Sequence, residues 1–255
     1  MRPKLIEAGK AKIEIELYGE VGPLVLLVPA LGRGAADYSE LGPILADAGY
    51  RAAAVNPRGA GESKGPLEGV TLHDLAADLA MVIEALDGAP AAVIGHAFGN
   101  RIARCLAADR PELVTCITLL AAGGKVPPDA PEFFEAMKAL NTKGITEEQR
   151  KAALKEAFFA RKSDPAPWMT GNWAATARVE RAAGQATPLD DWWGGGNAPI
   201  LVLQGLEDRS APPAKEEFGD RITVQDIPDA AHGLLFEQPA VISEAVIKHL
   251  KKFHT

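Results

Sequence analysis

Two residues late in the chain, an acid and a histidine, have side chains whose chemistry suits acid–base catalysis. Asp208 comes just after the apolar run 200–203, and His232 lies in a short loop ahead of a helix-like segment that opens at Pro239. A carboxylate beside an imidazole can fix its tautomer and stabilise its cation. A histidine oriented in this way can deprotonate water or an acidic C–H or O–H of a substrate, which contributes about 10²–10⁴-fold to a rate. The pair therefore indicates acid–base chemistry.

A tight turn provides the third position of interest. The apolar run 91–94 leads into Gly95-His96-Ala97-Phe98-Gly99, and a helical pattern follows at once over 98–108. Strand, Gly-x-x-x-Gly and helix in this order have the shape of a turn that presents a serine nucleophile, with glycines where side chains would clash. The central residue here is Ala97, and a methyl group cannot attack a carbonyl carbon. An acyl-enzyme route through residue 97 is therefore excluded.

Short apolar runs separated by helical patterns must position these residues. Continuous apolar runs are typical of strands buried on both faces, and amphipathic spacing predicts the helices between them. The predicted buried strands are 24–28, 52–55, 91–94, 116–120 and 200–203; the predicted helices are 71–86, with Thr71 as N-cap, 98–108 and 239–251. This alternation predicts an α/β fold with a mostly parallel, doubly wound sheet. The charged and apolar alternation over 12–18 predicts an antiparallel edge strand.

The segment from 125 to 196 breaks this alternation. It has no buried strand pattern, and it holds all four tryptophans of the chain. Its predicted helices are 131–140, 146–160, with a capping box of Thr146 and Gln149, and 173–183. Its aromatic residues either form the small core of a helical subdomain or line an apolar pocket beneath a lid, and the two interpretations are compatible.

We therefore predict a helical cap at 125–196, inserted into a core made of 1–124 and 197–255. Trp168 and Trp173 are the predicted pocket-lining residues, because they are flanked by small and turn residues rather than by a regular apolar stripe. Ligand pockets typically measure about 300–1,000 Å³, and we expect a mostly apolar pocket of this size.

Taken together, five segments resemble the α/β-hydrolase superfamily over nearly the whole chain. They are the strand and loop 24–32, the turn 56–63, the elbow 91–103, the strand and acid 200–208, and the loop 227–233. The resemblance implies an eight-stranded, mostly parallel sheet flanked by helices, with a helical cap after strand six. It also implies Asp208 as triad acid, His232 as triad base, Ala97 at the nucleophile position, and the backbone N–H groups of Leu31 and Phe98 as the oxyanion hole. The chain departs from the family at Pro29-Ala30, where members commonly carry His-Gly before the oxyanion residue.

Three explanations of Ala97 stay open at this point. It is an engineered replacement of serine made to trap a substrate, or it is native and the Asp208–His232 dyad acts without a covalent nucleophile. In the third explanation the protein is a ligand binder without catalytic activity that kept the pocket. The presence of both a base and its orienting acid argues against the third.

Composition excludes several other classes of function. The 255 residues carry 27 basic and 34 acidic side chains, a net charge of −7 without a basic cluster, which disfavours binding to nucleic acid or an anionic membrane. Cys105 and Cys116 cannot form a disulfide framework or a zinc site. His96 is expected to pack and His73 to face solvent. We expect a cytoplasmic protein with a small-molecule substrate and neither metal nor organic cofactor; the oligomeric state stays open.

The predicted function is hydrolysis of an apolar small-molecule ester, lactone or related carbonyl compound. The alternative enzymes are a cofactor-free lyase or oxygenase that uses His232 as its base. The alternative outside enzymes is a ligand-binding pseudo-hydrolase.

Overall fold

A single sheet passes through the molecule. The computed structural model describes residues 2–125, 130–209 and 217–254, and within them the sheet has eight strands in the order β1-β2-β4-β3-β5-β6-β7-β8. In this sheet order, every neighbouring pair from β4-β3 to β7-β8 is parallel. The pairs β1-β2 and β2-β4 are antiparallel. The strands are β1 Arg2–Ala8, β2 Ala11–Tyr18, β3 Leu24–Val28, β4 Arg51–Asn56, β5 Ala91–His96, β6 Val114–Leu120, β7 Ile200–Gly205 and β8 Ile222–Ile227. The predicted eight-stranded, mostly parallel α/β sheet is confirmed.

The edge of the sheet differs from the prediction. The alternating segment forms β2 and pairs antiparallel, but β1 covers its outer side over the full register from Arg2↔Leu17 to Ala8↔Ala11. The sequence did not predict β1, because Pro3 and the charged residues of this segment are not typical of a strand. An edge strand tolerates proline because its outer backbone groups need no partner. The edge strand is therefore β1, and β2 is the second strand.

Helices cover both faces of the sheet. They are α1 Leu41–Asp47, α2 Leu72–Ala85, α3 Gly99–Asp109, α4 Pro131–Leu140, α5 Glu147–Phe158, α6 Ala174–Ala186, α7 Leu189–Trp192, α8 Leu234–Glu237 and α9 Pro239–Phe253. The apolar residues of α2 and α3 form one core cluster with the sheet, and those of α1 and α9 form a second cluster on the other face. The predicted Thr71 cap is present as a capping box with Asp74. Among the described residues no helix has the length and apolarity needed to cross a membrane.

Among the described residues, the helices α4 to α7 lie between β6 and β7. The predicted capping box at Thr146 and Gln149 opens α5. The helices α4 and α5 share a small apolar cluster of Ala136, Ala153 and Ala157. By contrast, α6 and the end of α7 place Val179, Ala183 and Trp192 in the main cluster beneath the sheet. The division into a core and a cap at 125–196 remains a prediction.

Candidate active site

The turn between β5 and α3 is strained at its central residue. Ala97 has a φ of +47°, in the left-handed region that costs an L-residue about 1–2 kcal/mol. A Cβ on Gly95 would come within 2.6 Å of the Gly99 carbonyl oxygen, and a Cβ on Gly99 would come within 2.6 Å of the Pro29 oxygen. Both positions must be glycine because other backbone atoms come too close for a Cβ. This is the steric requirement that the sequence analysis stated for the elbow.

Asp208 and His232 meet beside this turn. His232 Nδ1 lies 3.1 Å from Asp208 Oδ2, and Gln204 Nε2 donates to the same oxygen at 2.8 Å. The Asp208 side chain is 3% exposed and that of His232 is 18% exposed. Since a carboxylate accepts, Nδ1 carries the proton in this pair and Nε2 is left as the basic nitrogen. Ala97, Asp208 and His232 all line one cavity.

His96 fixes the backbone of the histidine loop. Its ring is fully buried, and Nε2 lies 2.8 Å from the carbonyl oxygen of His232. Burial, reinforced by the neighbouring His232, lowers the pKa of His96 to about 3, so the ring is neutral near pH 7. Nε2 must then be its protonated nitrogen, because a carbonyl only accepts. His96 packs as expected, and it also positions His232 through this hydrogen bond.

The predicted oxyanion-hole residues flank Ala97. Leu31 and Phe98 line the cavity, and no described residue accepts a hydrogen bond from the backbone N–H of either. The N–H of Ala97 itself is used, since it donates to the Leu120 oxygen at 2.8 Å. Two backbone donors without a described acceptor therefore belong to residues that line the same cavity as His232.

Glu180 of α6 supports the loop that carries Leu31. Its Oε2 accepts a hydrogen bond from the backbone N–H of Gly32 at 2.7 Å. Glu180 is fully buried, and burial raises its pKa to about 8, so the side chain holds a proton at neutral pH. The sequence pattern did not predict this contact, because it joins residues 148 positions apart.

Arg33 joins the same loop to the segment 165–172. Its guanidinium makes a buried ion pair with Asp37 and donates to the carbonyl oxygens of Thr170, at 2.6 Å, and Pro167, at 3.2 Å. It also lies 5.4 Å from the centre of the Trp168 ring, within cation–π range. These contacts hold Trp168 against the site.

A cavity of about 950 Å³ lies between the sheet edge and helices α4 to α7. Trp168 is in its wall, where the sequence analysis placed it, and packs 5.0 Å from Phe158 between ring centres. Apolar side chains that the sequence analysis did not assign to the pocket complete this part of the wall; they are Phe133, Met137, Leu140 and Leu154. They lie on α4 and α5 at helical spacing, which also fits an ordinary helix core.

The family follows from this fold and from sequence comparison. A family model described as alpha/beta hydrolase fold matches residues 23–239. The chain belongs to the α/β-hydrolase family. Among relatives, it is 30% identical over 249 residues to the Mycobacterium tuberculosis protein BpoC, whose name describes a non-heme bromoperoxidase; the match covers 90% of this chain and 94% of that one. It is 26% identical over 257 residues to RutD of Variovorax paradoxus, named as a carbamate hydrolase, with 94% and 96% covered.

Solved structures of α/β hydrolases agree with this assignment. The crystal structure of BpoC superposes with a TM-score of 0.77 at 27% identity, covering 94% of this chain and 96% of that one. An esterase from Exiguobacterium antarcticum superposes with a TM-score of 0.76 at 21% identity, with 98% and 100% covered. The second likeness shows the α/β-hydrolase fold alone.

Trp173 does not line the cavity of this α/β hydrolase, contrary to the sequence prediction. It is 40% exposed and stands at the N-cap of α6, where its backbone N–H donates to the Gly32 oxygen at 2.8 Å. The Trp173 side chain is not among the residues that line the cavity, and its Nε1 lies 3.4 Å from a Cβ built on Gly34. Trp173 is therefore a loop contact.

His73 is also not simply solvated. Its Nδ1 lies 2.8 Å from Asp109 Oδ2, its Nε2 lies 3.3 Å from Asp191 Oδ2, and hydrogen bonding to Asp109 raises its pKa. Cys105 Sγ lies within 4.8 Å of both His73 and Asp109 ligand atoms, an arrangement of metal-ligand types that the sequence analysis did not predict. Hydrogen bonds within the group account for its geometry, and none of its members lines the cavity.

Proposed function

We propose that this α/β hydrolase cleaves a small-molecule ester or lactone by direct attack of water, with His232 as general base and Asp208 as its orienting acid. The observation that carries the proposal is the 3.1 Å contact between His232 Nδ1 and Asp208 Oδ2 in a cavity shared with Ala97. A covalent serine step is excluded at residue 97, so the nucleophile must be water.

Each proton has a place in this reaction. His232 Nε2 accepts a proton from water as the oxygen attacks the carbonyl carbon, which gives a tetrahedral oxyanion and an imidazolium that Asp208 stabilises. The N–H groups of Leu31 and Phe98 donate to the oxyanion; one such donor is typically worth about 10²–10³ in rate. The imidazolium then returns its proton to the leaving alkoxide oxygen as the C–O bond breaks, and the products are a carboxylic acid and an alcohol.

The environment of the dyad supports the proposal. Asp208 is almost fully buried and accepts from Gln204, which fixes the carboxylate that holds His232. His96 fixes the histidine loop from the other side. These contacts reduce the freedom of the base before a substrate binds, which is how positioning lowers a barrier.

Turnover of 4-nitrophenyl acetate and of an unsubstituted δ-lactone tests the proposal. His232→Ala should lower kcat by about 10²–10⁴-fold, while His73→Asn, outside the cavity, should leave it unchanged. Wild-type release of 4-nitrophenol should be linear from the first turnover, since no acyl-enzyme accumulates. Equal rates for wild type and His232→Ala would contradict the proposal, and if both equal the uncatalysed rate they would favour a ligand-binding role.

A further inference from the structure

The cavity has a strong excess of cationic side chains. Its described lining includes one carboxylate, Asp208, and six cationic residues, which are Arg33, Arg101, Lys125, Arg150, Arg178 and Arg181. The chain as a whole has a net charge of −7. Positive charge is therefore concentrated in this cavity, and a concave site focuses such a field on an incoming ligand.

Two of these cations are already neutralised. Arg33 pairs with Asp37 at 2.5 Å, and Lys125 pairs with Glu217 at 2.5 Å. In residues 2–125, 130–209 and 217–254, no carboxylate pairs with Arg101, Arg178 or Arg181. These three arginines therefore retain their hydrogen-bond donors for a ligand.

Arg178 and Arg181 lie on one face of α6. The cavity-facing residues of this helix follow helical spacing; they are Ala174, Ala177, Arg178, Arg181 and Gly184. Residues three or four apart share a helix face, so the two guanidinium groups extend from a stripe whose other members are small. The opposite face is anchored by Val179 and Ala183 in the main core.

Arg101 reaches the same region from α3. Its guanidinium lies 5.3 Å from the Phe98 ring centre and 5.6 Å from that of Trp192. A Cβ on Gly184 would lie 3.1 Å from a terminal nitrogen of Arg101 and 3.2 Å from the Phe98 ring. Gly184 thus leaves the space that the guanidinium occupies. The three arginines line the same cavity as Phe98, which carries one of the proposed oxyanion donors.

Arg101, Arg178 and Arg181 are all exposed where they line the cavity, so their guanidinium groups are open to a ligand that enters from solvent. Guanidinium groups bind carboxylate and phosphate oxygens in a two-pronged geometry that suits such ligands. The chemistry of the lining therefore favours an anionic oxygen group over a neutral, apolar one.

We propose that the substrate of this site carries an anionic oxygen group, a carboxylate or a phosphate, that binds Arg101, Arg178 and Arg181 while its ester or lactone carbonyl lies at Ala97 and His232. This inference rests on the proposed function for the position of the carbonyl, and it replaces the apolar substrate expected from the sequence with an amphiphilic one. The apolar wall around Trp168 contacts the hydrocarbon part.

Binding, measured separately from turnover, tests the anionic subsite. Isothermal titration calorimetry would compare 4-phenylbutanoate with its neutral amide, 4-phenylbutanamide, and with 3-phenylpropyl phosphate. The acid should bind at least about tenfold more tightly than the amide, because hydrogen bonds to charged groups are the stronger kind. The relative affinities of the carboxylate and the phosphate then identify which anion the subsite prefers.

Replacement of single arginines shows which side chains cause the preference for the acid over the amide. Arg101→Gln and Arg181→Gln should each remove most of the preference for the acid, whereas Arg181→Lys should keep part of it. Arg110 is a surface arginine that pairs with Glu84 and Glu112. Arg110→Gln should leave the preference for the acid unchanged. Thermal unfolding of each variant separates loss of binding from loss of folding.

The outcomes separate this inference from the proposed function. His232→Ala should keep the full preference for the acid even though it loses turnover. Equal affinity for the acid and the amide in the wild type would overturn the anionic subsite, as would a loss in Arg110→Gln equal to that in Arg101→Gln. Turnover that survives in His232→Ala would overturn the mechanism and leave the binding result intact.

Discussion

The Glu180 carboxyl group accepts a hydrogen bond from the backbone N–H of Gly32 at 2.7 Å, and this contact joins α6 to the loop of the proposed oxyanion hole. The next residue back in the loop is Leu31, whose N–H faces no described acceptor. Glu180 therefore acts on the site through the backbone, as a positioning residue, without contact to the reacting atoms.

The buried Glu180 should make stability fall with rising pH. Burial raises its pKa from 4.5 to about 8, so between these values the folded chain keeps a proton that the unfolded chain releases. The free energy of unfolding then decreases as pH rises through this window, with a limiting slope of about 1.4 kcal/mol per pH unit. Urea unfolding at pH 5, 6.5 and 8 should show that the free energy of unfolding of Glu180→Gln increases relative to that of the wild type at each step.

Exposed Glu244 on α9 provides the control for this experiment. Glu244→Gln should follow the wild-type pH profile of unfolding. A constant difference between Glu180→Gln and wild type across the three pH values would mean that Glu180 is ionised in the folded protein.

Ala97→Ser should convert the site to covalent catalysis. The turn already holds residue 97 at a φ of +47° between two required glycines, and serine needs no more backbone space than alanine. We expect stopped-flow assays with 4-nitrophenyl acetate to show a burst of 4-nitrophenol, the mark of an acyl-enzyme, that the alanine form lacks. The double variant Ala97→Ser/His232→Ala should show no burst.

A folded Ala97→Ser protein with neither a burst nor labelling by a serine-directed phosphonate would count against the assigned oxyanion donors. The departure at Pro29-Ala30 would then be the reason, because these residues lead into the loop of Leu31.

Gly99→Ala should destabilise the fold without any unusual φ being involved. Its Cβ would meet the backbone oxygens of Val28 and Pro29, the latter at 2.6 Å, and neither can move without shifting β3. Overpacking of this kind typically costs about 1–3 kcal/mol, measurable as a lower urea midpoint. Gly194→Ala is the matched control, since a Cβ there meets nothing within 4 Å and should change stability by about 0.5 kcal/mol or less.

Asp208→Asn should lower kcat much more than it changes KM. The carboxylate holds Nδ1 of His232 protonated, and an amide in its place can turn the wrong group toward the ring. We expect kcat on 4-nitrophenyl acetate to fall by about 10²–10⁴-fold, with little change in Asp220→Asn, on the exposed turn before β8. Unchanged kcat in Asp208→Asn would remove Asp208 from the mechanism.

The elbow was predictable because its determinants are local. Gly95 and Gly99 are four residues apart and flank Ala97, and the apolar run before them can only be a strand. The fold order likewise followed from runs such as Leu24–Val28 and Ile200–Gly205, since a strand buried on both faces must be apolar throughout. Asp208 was predictable from its position after such a strand, whereas the role of His232 followed from the resemblance to the α/β-hydrolase superfamily.

The remaining site residues depend on contacts that local patterns do not encode. Arg101 and Gly184 are in contact although more than eighty residues separate them in the sequence. Trp168 is buried and Trp173 is exposed, although both have small and turn residues as sequence neighbours. The face that α6 turns to the cavity is set by the packing of Val179 and Ala183 in the main core cluster. Because polar and small residues fill that cavity face, its sequence resembles a solvated helix.

The anchoring of α6 has a consequence for the motions of the molecule. Its inner residues belong to the main core, so its amide protons should exchange with solvent only when the whole core opens. The pair α4 and α5 packs in two small clusters outside the main core, so we expect it to open by itself at a lower free energy than α6. We therefore expect the ligand to enter and the product to leave by local opening of α4 and α5. The helix α6, which carries Arg178 and Arg181, stays in place during this opening.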